Sequence, residues 1–479
     1  MPNVINAYVS ELPARFFEEI SAIPRVSYHE EGIADYLVEF ATARGLAVYR
    51  DASHNVLIKK QGTVGRENEQ PLLLQAHTDM VAELAFGAIH NFETEGLELQ
   101  RKGNILSAKG TTLGADDGFG VALMLAALES AESHPPLECL FTAAEEVGLV
   151  GATAFDYGRI SATRMINFDS AEEHLVITGC CGGVRTGITV PVCFEDIKAQ
   201  GIEIALHGLC GGHSGEDIHR GRANALSVMG KILEKLQKRT PFRVVSVHGG
   251  DKDNAIPRDC IAVVVPDDMG AAVDFFSNSE ALLQALVTSP DDSKRSLDVR
   301  AITVEQALPH TDTGWLLKVL GVRNGVLQTR ADGSPQTSRN LARVRFLADK
   351  VDFAFSSRSP DEKCLNECKE ELEALASSIG GSASHHGRYP GWEGEANSPV
   401  NLLWQSCYRA VTGREISSTV IHAGLESGLI SARIPGLDVI AVGCNIYDLH
   451  TPAERMEIDS FERIYQTLIA FLKISKELR

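Results

Sequence analysis

The chain has 479 residues, with 64 acidic and 45 basic side chains and a formal net charge of −19. Hydrophobic residues make up 44% and charged residues 23%, which is typical of a globular protein and not of a disordered or fibrous one. The length exceeds what one hydrophobic core usually supports, so at least two domains are predicted, and the acidic balance argues against nucleic-acid partners and anionic membranes.

The first residues, the apolar runs and the cysteines indicate the cellular compartment. The first twenty residues contain acids and no long apolar core, so we predict neither a signal peptide nor an anchor. No apolar run approaches the roughly 18 residues needed to cross a bilayer, and no membrane span is predicted. The ten cysteines have no framework spacing, so we expect mostly buried, reduced thiols in a cytoplasmic protein.

Helix-like and strand-like segments alternate along the first third of the chain. The predicted elements are helices at 12–23 and 30–44, a strand at 71–76, a helix at 120–131, and strands at 137–142 and 164–168. Such alternation with short connections predicts an α/β domain: a mostly parallel sheet with helices on both faces.

The middle of the chain has a different pattern of predicted elements, and the α/β pattern returns at the end. Predicted there are strands at 202–207, 244–248 and 260–265, helices at 223–237, 269–286 and 361–378, a Gly/Ser/His-rich loop at 380–387, a helix at 399–411, a strand at 438–442 and a helix at 460–478. We therefore predict one discontinuous α/β domain, residues 1–185 and 396–479, with an α+β domain inserted at 186–395.

Histidines and acids follow several of the predicted buried strands, at the sheet edge where ligands bind in open parallel sheets. His77 and Asp79 are two residues apart, so in an extended chain they point the same way. An imidazole held by a carboxylate is a good metal ligand with a fixed tautomer. The pair alone also fits an ordinary surface loop.

Two further segments carry paired acids. Asp116 and Asp117 lie in a Gly-rich turn that opens a helix, where the acids would repel a phosphate and no P-loop pattern follows. Glu145 and Glu146 end a hydrophobic strand, where a metal would accept one carboxylate and leave the other as a general base. Alone, the first pair also fits a helix cap and the second a solvated loop.

Asp169 closes another strand, and His450 and Glu454 follow the last one. Taken together, these segments supply histidine and carboxylate ligands without a thiolate, a set that suits zinc or manganese in a hydrolytic site. One shared carboxylate would place two metal ions about 3.5–4 Å apart, the arrangement that activates a water.

The combined motif set resembles the co-catalytic zinc peptidases of the M20 type. The motifs are His77-Thr-Asp79, Gly114-Ala-Asp116-Asp117-Gly118, Glu145-Glu146-Val-Gly148, Asp169 and His450-Thr-Pro. The resemblance extends over nearly the whole chain through Gly211–Gly215, Asn254–Arg258, Gln336–Leu341 and His422–Gly428. It implies two zinc ions, with manganese or cobalt as alternatives.

The resemblance also implies a role for each matching residue. His77, Asp116 and Asp169 would hold one metal ion, and Asp116, Glu146 and His450 the other. Asp116 would bridge them, and the Asp116–Asp117 peptide would be cis. The other implied roles are orientation of His77 by Asp79, proton transfer from a metal-bridging water by Glu145, oxyanion donation by His213, and substrate contacts by Arg358, Asn254 and Gly424.

The implied activity is hydrolysis of unblocked dipeptides, including Xaa-His. The family's deacylases tend to have Glu where this chain has Asp169, which favours the dipeptidase reading. Two alternatives stay open: an N-acyl amino acid deacylase with the same site, and a catalytically silent metal-binding scaffold. The inserted domain would act as a lid and form a homodimer. Departures from the family pattern are Glu426-Ser427 in place of Glu-Cys and the segment Pro309–Gly314.

Overall fold

The computed structural model describes residues 4–5, 10–130 and 132–475. The α-helices are α1 (Glu11–Ser21), α2 (Glu31–Ala43), α3 (Ala115–Ser130), α4 (Val150–Ala154), α5 (Ala225–Gln237), α6 (Met269–Phe276), α7 (Ser279–Leu286), α8 (His310–Leu320), α9 (Glu362–Ser378), α10 (Pro399–Thr412), α11 (Glu426–Arg433) and α12 (Ile458–Ile474). Short 3-10 turns occur at Tyr157–Arg159, Ile218–Arg220 and Pro290–Asp292.

The β-strands are β1 (Ala47–Arg50), β2 (Val56–Lys60), β3 (Leu72–His77), β4 (Leu99–Lys102), β5 (Ile105–Ala108), β6 (Leu137–Thr142), β7 (Arg164–Asn167), β8 (Leu175–Cys180), β9 (Gly182–Pro191), β10 (Glu195–His207), β11 (Gly212–His213), β12 (Phe242–Gly249), β13 (Ala255–Ile256), β14 (Cys260–Pro266), β15 (Ser296–Ala307), β16 (Gly325–Thr329), β17 (Pro335–Phe346), β18 (Lys350–Ser359), β19 (Ser382–Tyr389), β20 (Trp392–Glu393), β21 (Ser417–Ile421), β22 (Asp438–Ala441), β23 (Ile446–Tyr447) and β24 (Arg455–Glu457).

The chain forms two compact units. Unit 1 comprises the described parts of Met1–Cys180, Trp392–Ile421 and Leu425–Arg479. Unit 2 comprises Cys181–Gly391 together with the short segment His422–Gly424. Both ends of the chain therefore contribute to unit 1.

Unit 1 is built on a nine-stranded sheet in the order β1-β2-β6-β3-β7-β22-β8-β20, with β21 also paired to β8. The central strands β6, β3, β7 and β22 run parallel to one another, and β1 and β20 at the ends of the order pair antiparallel with their neighbours. Every residue of β3 and of β6 is buried, as expected for strands that are covered on both faces. The predicted α/β class is confirmed.

Alternate side chains of β3 reach two different hydrophobic clusters. Leu74 belongs to a large cluster that includes Phe17 of α1 and Leu123 of α3. Leu73 belongs to a second cluster that includes Ile430 of α11. Because side chains alternate along a strand, these two clusters lie on opposite faces of the sheet, and helices cover both.

Unit 2 contains a second nine-stranded sheet, in the order β15-β10-β14-β12-β17-β18-β9-β19 with β16 beside β17. All of its recorded strand pairs are antiparallel. Helix α5 packs against this sheet through its apolar side, and Leu226, Met229 and Leu233 are fully buried. This is the α+β arrangement predicted for the middle of the chain.

Two element predictions in unit 2 are wrong. The loop predicted at 380–387 is part of strand β19, which pairs with β9 at the end of the sheet. Its small and polar residues predict a loop, but an edge strand exposes one side to water and tolerates them. The helix predicted at 269–286 is two helices, since the Asn278 side chain accepts a hydrogen bond from the amide of Ala281 and starts a new helix there.

Two predicted helix ends lie outside the described residues, namely position 131 and positions 476–478. Within the part of the chain that the structure describes, no helix combines the length and the apolar composition that crossing a bilayer requires.

Candidate metal centre

The candidate ligands follow the carboxyl ends of the parallel strands in unit 1. His77 is the last residue of β3, Glu145 and Glu146 come shortly after β6, and Asp169 comes two residues after β7. Asp116 lies at the start of α3, where its backbone angles are not yet helical. Since the carboxyl ends of parallel strands meet at one edge of the sheet, these segments converge there.

The carboxylate of Asp116 lies between the two histidines. Its Oδ1 is 3.1 Å from Nε2 of His77, and its Oδ2 is 3.3 Å from Nε2 of His450. Glu146 Oε1 lies 3.0 Å from the same nitrogen of His450. The Asp116–Asp117 peptide is cis, as the sequence resemblance implied. One oxygen facing each imidazole is the geometry expected of a bridging carboxylate.

Three groups of side chains bring one donor atom from each member within 4.8 Å of the others. Two of them are the sets implied by the resemblance, His77 with Asp116 and Asp169, and Asp116 with Glu146 and His450. The third joins His77 to Glu145 and Glu146. Imidazole nitrogens and carboxylate oxygens are ligands that zinc and manganese accept, so the donor set fits divalent metal ions.

The electrostatics of this cluster favour added positive charge. Burial raises the pKa of Glu145 well above its ordinary value, and the nearby acids add to the shift. Burial and the charge of Asp116 raise the pKa of Asp169 to about 8. Although burial lowers it, the Asp116 and Glu146 carboxylates raise the pKa of His450 to about 11. Crowded carboxylates of this kind are stabilised by cations.

Asp79 holds the loop that carries the two glutamates. Its carboxylate is fully buried and accepts hydrogen bonds from the amides of Glu145, at 2.9 Å, and Glu146, at 3.2 Å. The hydroxyl of Ser27 donates to the same carboxylate at 2.7 Å. His77 Nδ1 lies 3.2 Å from the main-chain oxygen of Asp79 and 3.4 Å from its carboxylate. Asp79 therefore contacts His77 and also sets the position of Glu145.

A buried polar network crosses the three strands just before their ligands. The side-chain nitrogen of Gln75 and the hydroxyl of Thr142 donate to one oxygen of Glu426, at 2.5 Å and 2.6 Å. Asn167 donates to the side-chain oxygen of Gln75 at 2.7 Å. The sequence analysis includes Glu426 only as part of a family motif and does not reveal this role, because Gln75, Thr142 and Asn167 lie inside hydrophobic strands that carry no motif.

The network gives a stability prediction. Thr142→Val removes the hydroxyl that donates to the buried Glu426 carboxyl, so it is expected to lower the free energy of unfolding by about 2 kcal/mol, as for the loss of a hydrogen-bond partner from a buried polar group. Urea unfolding of the metal-free protein measures the loss. Thr111→Val is the matched control, since its buried hydroxyl has no hydrogen-bond partner among the described residues. Equal losses in the two variants would contradict a stabilising network.

The remaining predicted residues lie in unit 2. His213 pairs with Ala255 through β11 and β13, and the amide of Ser214 donates to the main-chain oxygen of Asn254 at 2.7 Å. The amide of Glu216 donates to Nδ1 of His213 at 3.2 Å. A neutral imidazole that accepts at Nδ1 carries its proton on Nε2. His213 is therefore set up as a donor through Nε2.

Arg358 and Gly424 belong to the same part of unit 2. Arg358 is largely buried, and its Nη1 donates to the hydroxyl of Tyr389 at 2.8 Å. A Cβ at Gly424 would lie 3.0 Å from that hydroxyl, and a Cβ at Gly215 would lie 3.2 Å from both Arg358 Nε and His213 Cε1. The fold thus brings Gly424 and His213 close to the Arg358 guanidinium, with Tyr389 as a neighbour that the sequence motifs missed.

Comparison with known proteins shows the family to which this chain belongs. The chain is 32% identical over 465 residues to a cytosol non-specific dipeptidase of Escherichia coli (strain K12), a match that covers 95% of this chain and 96% of that protein. This chain belongs to the M20 family of metallopeptidases. The crystal structure of an aminoacylhistidine dipeptidase from Vibrio alginolyticus matches with a TM-score of 0.85 at 33% identity, over 97% of each chain.

Other matches cover parts of the chain or show the fold alone. A peptidase dimerisation domain model matches residues 204–265, and a model of peptidase family M28 matches residues 55–175. An M20 family metallo-carboxypeptidase from Sulfolobus solfataricus shares the fold, with a TM-score of 0.57 at 15% identity over 97% of this chain and 99% of that one. The predictions of an M20 member and of a hydrolytic enzyme are confirmed, and the predicted dipeptidase activity agrees with the two most similar proteins named above.

Proposed function

We propose that this M20 metallopeptidase hydrolyses unblocked dipeptides, Xaa-His dipeptides among them, at a site that holds two divalent metal ions. The observation that carries the proposal is the placement of Asp116, with one carboxylate oxygen facing each of His77 and His450. The two similar proteins, one named a cytosol non-specific dipeptidase and the other an aminoacylhistidine dipeptidase, support the substrate class.

The metal ions, for which zinc is our proposal and manganese or cobalt the alternatives, would polarise the scissile carbonyl and make a water nucleophilic at neutral pH. His77 and Asp169 would hold one ion, Glu146 and His450 the other, and Asp116 both. The Glu145 carboxylate would accept the proton of the attacking water as the oxygen–carbon bond forms. It would pass that proton to the nitrogen as the carbon–nitrogen bond breaks.

Residues of unit 2 would bind and recognise the substrate. The Nε2 proton of His213 would donate to the oxyanion, an interaction worth about 3 kcal/mol in the transition state. Arg358 would bind the carboxylate of the substrate with its planar fork of donors, with Asn254 and Gly424 as further contacts. The acidic cluster in unit 1 would attract the free amine.

We further propose that unit 2 acts as a lid and forms a homodimer, in line with the dimerisation-domain match, and that the enzyme works in the cytosol.

A panel of three forms of one dipeptide tests the substrate class. With β-alanyl-histidine, its N-acetyl form and its C-terminal amide, we expect kcat/KM to be about 100-fold lower for each blocked form, because each loses a charged contact. Rates are measured with zinc, manganese and cobalt supplied in turn. Faster hydrolysis of the acetylated form would indicate a deacylase, and no hydrolysis with any of the metals would indicate a silent scaffold.

The same panel tests the arginine. In Arg358→Met, the preference for the free carboxylate over the amide is expected to fall to within a few-fold. Arg345→Met is the control, since Arg345 is exposed on β17 of the same unit. An unchanged preference in Arg358→Met would show that another group binds the carboxylate.

A further inference from the structure

Two buried, oppositely charged side chains hold the backbone immediately before Asp116. Arg25 follows α1 and is 2% exposed, and Glu454 follows His450 by four residues and is also 2% exposed. Neither lies among the groups of candidate ligands. Burying an ionised group is costly unless it is well bonded, so their partners indicate what they do.

Glu454 binds three consecutive amides. One of its oxygens accepts from Leu113 at 2.8 Å and Gly114 at 3.0 Å, and the other accepts from Ala115 at 2.8 Å. The next residue is Asp116. Since Glu454 belongs to the same loop as His450, this carboxylate connects the segment of one histidine to the segment of the bridging aspartate.

Arg25 connects the segment after His77 to Gly114. Its Nη1 donates to the main-chain oxygens of Thr78, at 3.0 Å, and Asp79, at 3.3 Å, directly after His77. Its Nη2 donates to the main-chain oxygen of Gly114 at 2.5 Å. The guanidinium therefore connects the segment of the other histidine to the same backbone that Glu454 holds.

Gly114 is the point where the two side chains meet. Its N–H donates to Glu454 and its C=O accepts from Arg25, so both polar groups of this residue are held. Its φ of +63° is in the left-handed region, and a Cβ there would lie 2.7 Å from Nη2 of Arg25. The glycine thus permits the close approach on which the arrangement depends.

We propose that Arg25 and Glu454 are positioning residues that fix the distance and orientation of Asp116 between His77 and His450, and so set the spacing of the two metal ions. The inference rests on the proposed di-metal function. Groups that orient metal ligands from outside the coordination sphere typically change metal affinity by 10- to 100-fold when they are removed.

The experiment compares Arg25→Lys and Glu454→Gln with two matched controls. Arg66→Lys alters another buried arginine that donates to main-chain oxygen, that of Leu472. Glu138→Gln alters another buried glutamate that accepts from two consecutive amides, those of Ser161 and Ala162. All four variants are expected to lower Tm, so stability alone does not distinguish a positioning role.

Manganese binding and the electron paramagnetic resonance spectrum of the loaded protein provide the distinguishing measurements. In Arg25→Lys and Glu454→Gln we expect manganese affinity to fall by about 10-fold or more and the manganese–manganese coupling to change, while the controls keep wild-type values. If Glu454→Gln does not fold, Glu454→Asp keeps the charge with a shorter reach, and an intermediate loss is expected.

Wild-type affinity and coupling in folded Arg25→Lys and Glu454 variants would overturn this inference and leave the di-metal function intact. A wild-type protein that binds fewer than two metal ions, whether manganese, zinc or cobalt is supplied, would contradict the di-metal function itself, and with it the inference. The two failures are therefore told apart by the wild-type measurement.

Discussion

Replacing Glu145 by alanine is expected to lower kcat by about 10³-fold or more while bound metal stays at the wild-type level, as for the loss of a general base. Glu145 lies among buried acids, and burial together with the charges of Asp169 and Glu146 disfavours its ionised form. Removing this carboxylate relieves that repulsion. The metal-free variant is therefore expected to unfold at the wild-type temperature or above it, so lost activity would not reflect lost structure.

Steady-state kinetics, metal analysis and thermal unfolding on the same preparations check this result. Glu67→Ala is the control, because Glu67 is exposed on the surface of unit 1. A near wild-type rate in Glu145→Ala would show that another group takes the proton. A parallel loss of metal and activity would show instead that Glu145 is a ligand, as its membership of the third donor group with His77 and Glu146 would allow.

The second large effect is expected at Asp116. Asp116→Ala should lose both metal ions and at least about 10³-fold in activity, because this carboxylate belongs to both donor sets and the ions supply the electrophilic chemistry. Asp169→Ala is the matched comparison, since Asp169 belongs to one set and its loss should leave the set of Glu146 and His450 in place.

Metal analysis after dialysis against a fixed free metal concentration separates these outcomes. We expect close to two equivalents in the wild type, about one in Asp169→Ala and well below one in Asp116→Ala. Two equivalents bound to Asp116→Ala would rule out the bridging role. One equivalent in both variants would mean that each aspartate serves a single ion.

The candidate ligands could be selected from the sequence alone. Each proposed ligand lies in a short segment with its own local signature, an acid or histidine after an apolar strand or in a Gly-rich turn. Residues two apart on an extended chain share a direction, so the relation of His77 to Asp79 follows from local geometry alone. The relation of Asp116 to His450 does not, since 334 positions separate them.

The roles of the residues that support the ligands could not be predicted from the sequence. Gln75, Thr142 and Asn167 look like polar interruptions in hydrophobic strands until the sheet order places β3 between β6 and β7. Arg25 looks like an ordinary charge after a helix, yet the fold buries it against Gly114. Such roles depend on contacts between distant parts of the chain, and no periodicity within one segment encodes them.

The sequence by itself determined the α/β class, the donor types and the family, because apolar periodicity and short acidic or histidine-bearing segments are local properties of the chain. The tertiary structure decided that 380–389 includes an edge strand, that Asp116 faces both histidines, and that Arg25 and Glu454 hold the backbone before it. The reason is physical: strand pairing and the burial of a charge depend on neighbours that come together only when distant segments pack.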